Sequence, residues 1–205
     1  LVDEKNELGG TTIYQDSKNN KINDQISSEW LKKEIKELYK LDKLEIRKRT
    51  SVAAYHGYNF LLARENLTDH LSKDEKVGKI RQRLLKIRAK KVIIATGSLE
   101  RPLIFNNNDR PGIMLSSAIK RYVDYYGVVS GRNTVFFTNN DSAYESAISL
   151  HNKGIKVEAI IDIREKSDSI VVKEAEELGI KIYWSYTVVD TCLLYTSDAA
   201  DDVRC

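Results

Sequence analysis

Lys91–Pro102, KVIIATGSLERP, is the stretch from which the fold is read. Val92, Ile93, Ile94 and Ala95 make a continuous apolar run. It is too short for a helix and rich in β-branched side chains, so a buried strand is predicted. The run stops at Thr96-Gly97. Glycine has no Cβ, so the backbone can turn sharply there and a ligand can come close. Ligands of open α/β sheets bind beyond the carboxyl ends of the strands. Thr96 and Gly97 therefore mark a candidate cofactor edge, although an ordinary turn between elements fits the same residues.

The sequence before this run is strongly basic, KIRQRLLKIRAKK from Lys79. Ile80, Leu84, Leu85 and Ile87 interrupt the charge, which favours a solvated antiparallel arm over a nucleic-acid surface. With Ser51–Arg64 it forms a small three-stranded meander. Farther upstream, Asn23–Leu41 is predicted as a helix with Ile26, Trp30, Leu31, Ile35 and Leu38 on one face, capped by Asn23 or Ser27. Leu44–Arg47 reads as a short strand.

The sequence after Pro102 alternates. Ser116–Tyr126 is a predicted helix, Thr134–Thr138 a buried strand, Asp141–Lys153 a helix stopping at Gly154, and Val157–Asp162 a strand ending in acid. Ser167–Gly179 is another helix, capped by Ser167 or Asp168, and Ile180–Trp184 another strand; Thr187–Val189 opens a further element. Strand, turn, helix, strand, acid is the outline of a βαβ nucleotide-binding unit. Its turn reads TNNDSA, without the GxGxxG glycines, so its dinucleotide site is expected to be altered or lost, and Asp162 is the less favoured ligand.

Leu1–Glu4 resembles the end of a strand closing in acid, with Gly9-Gly10 in the loop beyond. Such a carboxylate accepts hydrogen bonds from ribose hydroxyls, and its glycine turn belongs roughly 20 residues upstream. A surface acid before a turn gives the same pattern. The chain is read as truncated at both ends: it opens mid-pattern, and Cys192–Cys205, CLLYTSDAADDVRC, looks like an in-frame translation of a sequencing-library adapter.

The 205 residues are 41% hydrophobic and 31% charged, enough for a core. The net charge of +3 argues against a nucleic-acid partner. No apolar run approaches the ~20 residues of a membrane span. Both cysteines, Cys192 and Cys205, fall in the suspect tail, which excludes a cysteine-based zinc site or nucleophile from the body and fits a reducing, cytoplasmic setting. His56, His70 and His151 are scattered, and HExxH and GxSxG are absent. What remains is a domain that holds a cofactor, with the cofactor carrying the chemistry.

ATGSLERPLIFNNNDRPGIM (residues 95–114) and YGVVSGRNTVFFTNNDSAYESAISLHNKGIKVEAIIDIR (residues 126–164) resemble the α subunits of heterotetrameric sarcosine oxidases, in one register to about residue 191. The resemblance implies an α/β fold: a Rossmann-like doubly wound parallel sheet, a small antiparallel meander and a second inserted βαβ unit. Residues 1–126 would be a partial first dinucleotide-binding domain, 127–191 the incomplete second unit and 192–205 the artefact. It implies NAD in this region, and FAD, FMN and tetrahydrofolate in a cytoplasmic holoenzyme that oxidises sarcosine to glycine. The partners would be a flavin-carrying β subunit and smaller subunits, and no catalytic residue would lie on this stretch. Residue by residue, Asp3 and Glu4 would hold the adenosine ribose, Lys5 and Thr11 would flank it, the Val52 backbone would lie against adenine, and Thr96 and Gly97 would form the dinucleotide turn. Two alternatives stay open: the α subunit of a related amine or proline dehydrogenase, and a non-catalytic scaffold that docks a flavin subunit.

Overall fold

The computed structural model describes residues 1–14 and 21–191. The tail from Cys192, with both cysteines and the expected adapter sequence, lies outside them. The chain divides into two compact units, Leu1–Gly97 and the part from Ser98 onward.

The first unit begins with a parallel bridge between Val2 and Arg47 and a 3-10 turn at Gly10–Ile13. Gly9 stands at φ 122°, a backbone conformation that side chains rarely adopt, and a Cβ there would also meet the Leu31 side chain of the next helix. Strands β1 (Lys21–Ile22) and β2 (Gln25–Ile26) form a two-residue hairpin whose Asn23 and Asp24 both take positive φ, as a primed turn requires. Helix α1 (Ser27–Tyr39) follows. It starts four residues later than the sequence predicts, because Asn23 is spent in the hairpin turn rather than as a cap, and neither Asn23 nor Ser27 caps it: the N-cap position is Ile26. Of the strand predicted at Leu44–Arg47, only the Arg47 bridge forms.

The expected meander is present as β3 (Thr50–His56), β4 (Phe60–Asn66) and β5 (Gln82–Arg88), all antiparallel in the order β3-β4-β5. A short helix α2 (Lys73–Lys76) sits in the loop before β5 and carries a capping box between Ser72 and Glu75. The basic run is thus an edge strand, and Arg81 and Arg83 already pair with Asp69 and Glu65. The predicted strand at Val92–Ala95 is the main correction. Residues 90–100 form no strand, and Ile93 and Ile94 are 92% and 67% exposed. A strand exists only through hydrogen bonds to a neighbour. None of the described residues pairs with this run.

In the second unit, helix α3 (Ser116–Asp124) is held at both ends. Its first amides are capped from sixteen residues upstream: Ser116 N (3.0 Å), Ser116 Oγ (2.7 Å) and Ser117 N (2.8 Å) all donate to the Glu100 carboxylate. Strand β6 (Asn133–Thr138), helix α4 (Ser142–Asn152) and strand β7 (Lys156–Asp162) follow, then helix α5 (Ile170–Glu177) and strand β8 (Ile182–Trp184). The strands form a parallel sheet in the order β6-β7-β8. Gly154 and Gly179, at φ 78° and 75°, stop α4 and α5 where the sequence places the stops. Helix α5 begins later than predicted, behind Ser169 rather than Ser167 or Asp168. No element forms at Thr187–Val189.

The core lies here. Phe136, Tyr144, Ala147, Leu150, Ile160 and Val172 are among its buried members. Among the described residues of the first unit, only Leu8 and Ala63 are buried apolar side chains. The division of the compact units falls after Gly97, and helix α3 belongs to the second of them. Asp124 at its end accepts hydrogen bonds from Ser149 (2.7 Å) and Lys153 of the α4 region, and within α3 it pairs with Lys120 (2.9 Å).

The Glu100 cap yields a prediction. Burial pushes this carboxyl up, and the hydrogen bonds from Ser117 and Ser116 outweigh it, so it sits below the usual range. Its stabilising effect is complete above the ordinary glutamate value of about 4.3 and disappears as pH falls through the lowered one. Glu100→Ala should cost about 1–2 kcal/mol at pH 7 and speed amide exchange in α3. Unchanged exchange in Glu100→Ala would show that the cap is idle.

Candidate functional site

The acid pair is placed by backbone pairing. Arg47 N donates to Leu1 O and Asp3 N to Arg47 O, both at 2.9 Å, which pairs Val2 with Arg47 and sets Leu1–Asp3 parallel to Ile46–Lys48. The contact continues into β3: Arg49 N donates to Lys5 O and Thr50 N to Asp3 O, both at 2.8 Å. Arg49 takes φ 53°, unusual for a non-glycine residue, and is held there by its amide and by the Asn66 N–H on its carbonyl (2.9 Å). Asp3 is half-buried, and one of its oxygens, Oδ1, accepts from Lys5 N at 2.8 Å. Glu4 is exposed and has no hydrogen-bond partner among the described residues.

Asp3, Glu4 and Lys5 therefore stand beside the start of β3, with Val52 two residues past the Thr50–Asp3 contact. Val52 is 47% exposed and borders a register shift between Val52 and Ala54. Thr11 lies exposed in the 3-10 turn. Thr96 and Gly97 are exposed outside any strand, and no hydrogen bond among the described residues joins them or Thr11 to the acid pair. A cleft of about 280 Å³ beside the Gly9 loop is lined by apolar side chains, among them Leu8, Ile13, Leu31 and Ile35, and by polar ones such as Glu7 and Lys32. None of the seven predicted site residues lines it. The acid pair has open acceptors next to extended backbone, which is what a ribose diol requires.

A second constellation lies at the carboxyl ends of β6 and β7. Asp162 is fully buried. Its Oδ1 accepts from Arg164 N (2.9 Å) and Nε (3.0 Å), and its Oδ2 from Tyr144 Oη (2.8 Å) and Arg164 Nη2 (2.7 Å). Arg164 Nη2 also pairs with Asp141 Oδ1 at 2.8 Å. Tyr144, fully buried, stacks on Trp184 with ring centroids 6.2 Å apart. Burial pushes the Asp162 carboxyl up, but the bonds from Arg164 and Tyr144 prevail and hold it below the usual range. Burial and the adjacent carboxylate push the Tyr144 phenol far up. The sequence reading singled out Asp162 and missed Tyr144, Arg164 and Asp141. The Asp-x-Arg spacing at a strand end was the available signal, since alternate residues share a face.

No protein-family model matches the chain. Over 191 residues and 93% of its length it is 37% identical to sarcosine oxidase subunit alpha of Corynebacterium sp. (strain P-1). Over 88% of its length it is 32% identical to the subunit of the same name from Rhizobium meliloti (strain 1021). The chain matches a segment of sarcosine oxidase subunit alpha. It spans 19% and 18% of the length of these two relatives. Among solved structures, L-proline dehydrogenase from P. horikoshii superposes on 82% of this chain and 31% of its own with a TM-score of 0.61 at 22% identity, a likeness of fold. The first of the sarcosine oxidase matches covers 191 of the chain's 205 residues, so it runs through both units and includes the Asp162 cluster. No helix among the described residues is long and apolar enough to cross a membrane, and no group of three or more candidate metal ligands occurs among them.

Proposed function

We propose that the first unit is the NAD-holding part of a Rossmann-like region in a sarcosine oxidase-type α subunit. The adenosine ribose is held by Asp3 and Glu4. Lys5 and Thr11 flank it, the Val52 backbone lies against adenine, and Thr96 and Gly97 turn at the dinucleotide. The observation that carries this reading is the acid pair itself: a parallel bridge ends in two carboxylates with open oxygens, tied through Thr50 to the start of β3.

In the holoenzyme the flavin chemistry belongs to other sites, with FAD, FMN and tetrahydrofolate serving sarcosine oxidation and one-carbon transfer. The partners are a flavin-carrying β subunit and smaller subunits, in the cytoplasm. This chain's residues bind and orient a nucleotide and transfer no proton. The fold likeness to L-proline dehydrogenase supports a second reading, a related amine or proline dehydrogenase subunit, and the identity of the flavin subunit encoded alongside separates the two.

The Asp3→Ala, Glu4→Ala double variant should lose co-purified dinucleotide, with binding weakened at least about tenfold. Full occupancy in a folded double variant would refute the assignment.

A further inference from the structure

The second unit presents the arrangement in which a ribose-binding acid is expected: a parallel strand, a turn, a helix and a second strand ending in Asp162. A carboxylate offers about four lone-pair positions. All four at Asp162 are taken, by the Arg164 backbone, two donors of its guanidinium and the Tyr144 hydroxyl. A ribose diol needs an open acceptor, and none remains.

The first helix amide at the turn is occupied as well. The pyrophosphate of a dinucleotide sits on the first amides of the helix after the first strand. Here the first amide of α4, Ser142 N, donates to Asn140 Oδ1 at 3.0 Å. Asp141 adds a carboxylate at that helix start, so a phosphate would meet like charge. Asp141 is in turn bound to Arg164, which links the turn to the strand end.

We infer that the second unit is closed to dinucleotides by its own side chains: Asp162, Arg164, Tyr144 and Asp141 form a structural clamp, and any dinucleotide the chain holds is held by the first unit. The inference stands on the second unit alone and does not depend on the assignment of Asp3 and Glu4.

The test is equilibrium dialysis of the chain against NAD⁺ and NADH, with Tyr144→Phe and Asp162→Asn in parallel. The expected result is at most one dinucleotide per chain, with affinity changed less than about twofold in both variants. Amide exchange in α4 and β7 should rise at least about tenfold in Asp162→Asn. Two dinucleotides per wild-type chain, or a site lost in a folded Tyr144→Phe or Asp162→Asn, would overturn the inference. Tyr144→Phe keeps the ring in the core and the Arg164 pair intact, so it carries the test if Asp162→Asn does not fold. A wild-type chain that binds no dinucleotide would refute the Asp3–Glu4 reading and leave the closed second unit standing.

Discussion

Arg164→Ala should destabilise the second unit by about 3 kcal/mol, the lower end of the range for breaking a buried ion pair. The lower end applies because the two partners differ: Asp162 is fully buried, whereas the Arg164 side chain is 31% exposed. Removing the guanidinium leaves the carboxylate with the Tyr144 hydroxyl and one backbone amide, in a site that water does not reach. Asp162→Asn should cost less, because the orphaned Arg164 can turn toward solvent and toward Asp141. The pH dependence has a definite sign. The folded-state carboxyl lies below its ordinary value, so the clamp contributes fully above about pH 4 and is lost as pH falls through the lowered value. Urea melts should therefore show the wild type and Arg164→Ala well separated at pH 7, with the gap narrowing below about pH 4. A gap that stays constant into strong acid would mean the arginine acts through packing rather than through the charge of Asp162.

That clamp shows where sequence reading reaches and where it stops. The alternating second half was legible because buried parallel strands are near-continuous apolar runs and the helices between them end at glycines. Thr134–Thr138, Val157–Asp162 and the stops at Gly154 and Gly179 follow from residue type alone. The partner of Asp162 is a different matter. Tyr144 lies eighteen residues away and reaches the carboxylate only because the parallel crossover lays α4 over the sheet. On sequence alone it was one of 11 tyrosines. The Glu100 cap was illegible for the same reason, since its helix begins sixteen residues later. At the acid pair, the sequence signalled the carboxylates but not the tie from Thr50 to Asp3, which depends on a positive φ at Arg49. The miss at Val92–Ala95 has another origin. Apolar content tells that a segment gains from burial, but a strand also needs a neighbour, and that information resides in a different segment.

Ile160 and Ile94 turn this difference into a measurement. Both are isoleucines in apolar runs that the sequence reads as buried strands. Ile160 has no exposed surface and lies in β7, the central strand, paired with Phe136 on one side and Ile182 on the other. It belongs to the cluster that includes Leu150 and Val172. Ile160→Ala removes buried methyl and methylene groups from a site walled by strands on both sides, which cannot collapse easily. The expected loss is about 3–5 kcal/mol. Ile94 is 67% exposed, so Ile94→Ala gives up little contact and should stay within about 0.5 kcal/mol of the wild type. The two variants differ by the same atoms, so intrinsic side-chain chemistry cancels in the comparison and burial alone remains. Denaturant midpoints measured under one set of conditions give both values. A loss of more than about 2 kcal/mol for Ile94→Ala would mean that the Val92–Ala95 run is buried in solution after all. The Thr96–Gly97 turn would then close a packed strand, as the sequence first suggests, and its place at the nucleotide edge would gain a physical support that the exposed segment lacks.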